Sequence, residues 1–88
     1  MNLIAFDVET YSTVPAYGLQ PWRDDFRIRS FAWSDASAAR VIRDPSIDDL
    51  RQFLRDCVDT SRYIVGWNTA FDISCLCHYG LQDDVLAC

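Results

Sequence analysis

An α/β domain is what this sequence predicts, and three observations carry it. Leu3 to Thr10 is an apolar run with the two-residue alternation of a strand. Ile47, Leu50, Phe53, Leu54, Cys57 and Val58 recur at spacings of three and four, as on one face of a helix. A second short apolar run, Arg62 to Trp67, follows that helix directly. A strand that follows a helix in this way runs parallel to a neighbour through a crossover, so the helices pack on a mixed sheet.

Leu3-Ile4-Ala5-Phe6-Asp7-Val8-Glu9-Thr10 reads as a central strand covered on both faces, with Ile4, Phe6 and Val8 on one side and Ala5, Asp7 and Glu9 on the other. Tyr11 to Phe26 holds two prolines and a glycine without a clear period and reads as a long loop. Arg27 to Ser34, the turn Asp35-Ala36-Ser37 and the run Ala38 to Ile42 make an antiparallel hairpin. With the first strand it forms a three-stranded sheet, the minimum for independent stability. Ser46 opens the first helix as an N-cap, and Asp49 three residues on completes a capping-box pattern. After the fourth strand, a second helix runs from Ala70 to about Tyr79 and stops at Gly80, with Asn68 or Thr69 as its cap. Residues 81–88 carry no element of their own in this reading. The order is β, β, β, α, β, α.

Composition narrows the functional classes. At 88 residues the chain makes one small domain with a marginal core. No apolar run approaches the ~20 residues of a membrane span and no signal-peptide pattern opens the chain, so the expectation is a cytoplasmic protein with no membrane partner. The cysteines, at 57, 75, 77 and 88, match no C-x-x-C spacing and are expected as reduced thiols. The net charge is −5, and all eight basic residues are arginine. An acidic chain does not hold nucleic acid by bulk charge, because that binding works by neutralising phosphates. Local features must supply it, and the candidates are bound metal ions and the arginines at 23, 27, 29, 40 and 43.

The chemistry lies in two acids on the first strand. Asp7 and Glu9 share a face, and ionised carboxylates on a buried strand cost several kcal/mol each unless a cation pairs with them. The plainer alternative is a strand that has reached the surface. A second pattern, Asn68-Thr69-Ala70-Phe71-Asp72, sits at the entry to the last helix. Asp72 stands three residues after Thr69 and would also serve as the acid of a capping box. Trp33, Trp67 and Phe71 read as core, and His78 as a residue near the negative end of the helix dipole.

Asp7-Val8-Glu9 followed by Asn68-x-x-Phe71-Asp72 resembles the DEDD-type (DnaQ-like) 3′–5′ exonuclease superfamily, whose fold is ribonuclease-H-like. Phe6 to Thr10, Phe31-Ala32-Trp33-Ser34 and Val65-Gly66-Trp67-Asn68 look most like the proofreading domain of phage family A DNA polymerases. The resemblance covers the whole of residues 1–88 as the N-terminal half of such a domain. It implies hydrolysis of single-stranded DNA from the 3′ end with two Mg²⁺ or Mn²⁺ ions, hard cations suited to carboxylate oxygens. By this resemblance Asp7 bridges both ions, Glu9 holds the ion that activates water and Asp72 holds the other. Thr10, Asn68 and Phe71 lie on the substrate side.

The family's third motif, a late Tyr or His followed by an Asp, is not among these residues. The expectation is therefore an exonuclease portion of a DNA polymerase, incomplete without a partner chain or self-association. A non-catalytic interaction module built on the same fold is the alternative.

Overall fold

The computed structural model describes residues 2–11, 21, 26–66 and 69–88. Strand β1 (Leu3–Tyr11) pairs antiparallel with β2 (Arg27–Ser34), and β2 pairs antiparallel with β3 (Ala39–Arg43). Helix α1 (Ile47–Asp59) crosses over to β4 (Tyr63–Val65), which runs parallel to β1 on its other edge. The sheet order is β3-β2-β1-β4. Helices α2 (Thr69–His78) and α3 (Gln82–Leu86) complete a small mixed α/β domain.

β1 alternates as its sequence requires: Ile4, Phe6 and Val8 are buried, while Leu3, Ala5, Asp7 and Glu9 are exposed. The expectation that both faces of this strand are covered is therefore corrected. One layer of helices lies on the Phe6 side, and the outward positions are tolerable in water because Ala5 is small and Asp7 and Glu9 are charged. Core and helices meet in a single cluster in which Phe31 packs edge-on against Phe53 at 4.8 Å and Phe6 lies 6.0 Å from Phe31. Such pairs add roughly 0.5–1.5 kcal/mol beyond the area they bury.

Alternation breaks once, in the pairing of β1 with β2. Glu9 stands opposite Ser30 and Thr10 opposite Ile28, so Arg29 is an extra residue in β2. Ile28 and Phe31 are both buried and only two residues separate them, which turns Arg29 and Ser30 outward together. The hairpin turn is closed by Asp35, whose carboxylate accepts the N–H groups of Ser37 and Ala38 at 2.8 Å each. The same carboxylate pairs with Arg62 at 2.9 Å, tying the β2–β3 turn to the start of β4.

Ser46 and Asp49 form the expected capping box, the Ser46 hydroxyl accepting Asp49 N–H at 3.0 Å and the Asp49 carboxylate accepting Ser46 N–H at 2.9 Å. Leu50, Phe53, Leu54 and Cys57 form the buried stripe of α1; Ile47 and Val58, at its ends, are exposed. At the end of α2, Gly80 adopts a φ of +77°, and Leu81 N–H reaches back to the Leu76 carbonyl at 3.2 Å. This is a Schellman stop, closed by the fully buried Leu81 side chain.

The terminal stretch departs from expectation, because residues 82–86 form α3. Five residues are too few for a helical period to be legible. What holds them is tertiary: Asp84 pairs with Arg51 at 3.4 Å and Arg55 at 3.9 Å of α1. Among the described residues no helix is long and apolar enough to cross a membrane.

Candidate acidic site

β4 pairs with β1 only as far as Ala5, so the chain must do something else beside Phe6 to Val8. It turns into α2, whose Asp72 carboxylate is hydrogen-bonded by the Val8 backbone N–H. A side chain thus takes the place of a continuing strand. The turn is tight: a Cβ on Gly66 would stand 3.0 Å from Thr69 Cγ2, 3.3 Å from the Phe6 carbonyl oxygen and 3.5 Å from Asp72 Oδ2. Glycine relieves that crowding, since any side chain there presses on the Thr69 methyl and on the Phe6 backbone.

Asp72 is only 3% exposed, and its Oδ2 is buried with no hydrogen-bond partner. Its pKa is pushed up to about 6, first by burial and then by the charge of Asp7, with the Val8 N–H pulling the other way. Asp7 and Asp72 therefore share one electrostatic site. The capping-box alternative for Asp72 does not describe it: Thr69 lies within α2, and the carboxylate serves β1.

Glu9 takes the same face as Asp7 but opens onto a hollow of about 460 Å³ with Arg29, Ser30, Val41, Arg43 and Asp44. Among the described residues no three His, Cys, Asp or Glu side chains stand close enough together to hold an ion. The acids brought together are thus Asp7 and Asp72. Two repelling carboxylates, one with an unsatisfied buried oxygen, suit a hard divalent cation, which would satisfy that oxygen and remove the repulsion.

Of the other expected site residues, Thr10 is partly buried at the bulge and Phe71 packs against the core. Asn68 lies outside the described residues, as do Trp67 and most of the loop expected over 11–26. Sequence reasoning passed over Gly66, although a glycine between a strand and a helix is a signal of close backbone approach. It also passed over the bulge, visible as the three-residue step from Ile28 to Phe31. Four cysteines are free thiols; burial pushes Cys57 up to about 11 and Cys75 to about 12, which makes them poor nucleophiles.

No protein-family model, curated protein or solved structure matches the chain.

Proposed function

We propose that this chain carries the metal-binding acids of a 3′–5′ exonuclease that acts on single-stranded DNA ends. The observation that carries the reading is the Asp7–Asp72 pair with its orphaned Oδ2, formed where a strand and a helix entry meet. Its support from sequence is the spacing of Asp7-x-Glu9 and Asn68-x-x-Phe71-Asp72. The ribonuclease-H-like assignment belongs to this proposal; its support is the succession of three antiparallel strands, a crossover helix and a parallel strand.

Asp7 and Asp72 would hold Mg²⁺ or Mn²⁺, with Glu9 a further acid on the same face as Asp7. Bound divalent ions supply an activated water and stabilise charge on the attacking and leaving oxygens of a phosphodiester. The protein's own contribution is to fix Asp72 by the Val8 N–H and to keep water from its inner oxygen. Thr10, Asn68 and Phe71 are assigned to the substrate side.

A second reading, a non-catalytic module that docks on another protein, is favoured by one feature. A groove of about 500 Å³ runs between α1, β4 and α2, with Val58, Tyr63, Ile64 and Ile73 among the residues lining it, and Tyr63 is 64% exposed.

The test is degradation of end-labelled single-stranded DNA in Mn²⁺. Residues 1–88 alone should leave the DNA intact and gain activity, lost in Asp7→Ala, once a late acid and a Tyr or His are supplied, whether by further residues of the same polypeptide or by another. Members of a cooperating catalytic set are not additive, so one missing member removes most of the rate. Robust cleavage by the chain alone would overturn the half-site view.

A further inference from the structure

The hollow beside Glu9 is the feature that the acidic pair does not absorb. We infer that Arg29, Ser30 and Arg43 form a subsite for a backbone phosphate of a single-stranded nucleic acid, adjacent to Asp7. The inference rests on the reading of the acidic pair as a nuclease site, and assigns that site's substrate contact.

The geometry comes from the bulge. Alternation counted back from the buried Phe31 would put Arg29 on the core face; as the extra residue between the Glu9–Ser30 and Thr10–Ile28 pairs it is turned out with Ser30 onto the open face. Bulges re-aim side chains in this way at sites that use them. Ser30 stands directly between Glu9 on β1 and Arg43 on β3 in the cross-strand register. Two strand spacings, ~10 Å, separate the backbones of Glu9 and Arg43, and a guanidinium arm spans much of that distance. Both arginines line the hollow together with the Ser30 hydroxyl.

The β3 end of the hollow is held by backbone. Asp44 takes a φ of +45°, and its N–H donates to the Arg29 carbonyl at 2.7 Å, which extends the β2–β3 ladder past the bulge. Among the described residues neither arginine forms an ion pair, although Glu9 and Asp44 line the same space. Two carboxylates offset two guanidiniums, so the hollow does not gather anions by net charge. It offers forked N–H donors and a hydroxyl, the chemistry of a positioned phosphate oxygen. Val41 lines this hollow and also the one that holds Asp7, and the cross-strand row Asp7–Ala32–Val41 lies beside the row Glu9–Ser30–Arg43, so the two adjoin along the face. A strand whose terminal phosphodiester lies at Asp7 would place another phosphate over Ser30.

The experiment measures binding of an oligothymidylate in chelator, where cleavage is off, at several salt concentrations. Arg43→Ala and Arg29→Ala should each weaken binding about five- to tenfold and flatten the salt dependence by roughly one phosphate contact. Arg55→Ala, the same charge loss on α1, should leave it unchanged. Arg29→Lys, which keeps charge but not the fork and guards against a misfolded alanine variant, should lie between. Binding by the parent chain that is indifferent to both arginines, or equally sensitive to Arg55, overturns the subsite alone. No binding by the parent chain overturns the nuclease reading and the subsite with it.

Discussion

Asp7 raises the proton affinity of Asp72 at the point where β4 stops pairing with β1. One carboxylate is on the exposed side of a strand and the other is buried at the start of a helix, so their energies are not symmetric. The buried one carries the strain of ionisation.

A pH dependence follows. The folded pKa of Asp72, about 6, lies above the ordinary 3.8, so the folded state binds the extra proton. Stability should therefore fall as pH rises from about 4 to about 6 and level off above, by roughly 2–3 kcal/mol in all. Asp35 and Asp49, held low by backbone N–H groups, act in the opposite sense only below the usual carboxylate range. Asp72→Asn should remove the slope between pH 4 and 6 and raise the melting temperature at pH 7, read by circular dichroism. A slope that persists in Asp72→Asn assigns the proton elsewhere.

Gly66→Ala should destabilise by about 1–3 kcal/mol, because the new methyl meets Thr69 Cγ2 at 3.0 Å and the Phe6 carbonyl at 3.3 Å. Adding Thr69→Ser, which deletes that Cγ2, should recover part of the loss. In a domain of this size each kcal/mol moves the melting temperature by about 4–8 °C. No change in melting temperature would show that the turn into α2 is looser than described.

Phe53→Ala removes the ring that packs on both Phe6 and Phe31, and large-to-small changes of this kind cost about 3–5 kcal/mol. For so small a core that is most of the stability, and the variant should be largely unfolded at 25 °C by urea titration. A folded variant with a modest loss would mean the core collapses into the gap.

Much of this was legible in the chain. Period-two burial in β1, the Ser46–Asp49 box and the Gly80 stop follow from residues whose preferences are local, and tertiary structure did not override them. α3 was not legible, since it depends on Asp84 meeting Arg51 and Arg55 of α1, which are distant in sequence. The open face of β1 was misread because an apolar run gives no information about how many layers cover it. At the site, Asp7 stood out as one of two acids on a strand face and Asp72 was named through a family resemblance, but the backbone bond from Val8, the orphaned Oδ2 and the outward turn of Arg29 arise only from the folded arrangement.

Mn²⁺-dependent thermal unfolding reports whether Asp7 and Asp72 make one divalent-cation site. A ligand that binds only the folded state raises its stability with concentration. The account predicts a rise of several degrees in the parent chain at saturating Mn²⁺, absent in both Asp7→Ala and Asp72→Asn. A melting temperature indifferent to Mn²⁺, or an equal rise in Asp7→Ala, would contradict it.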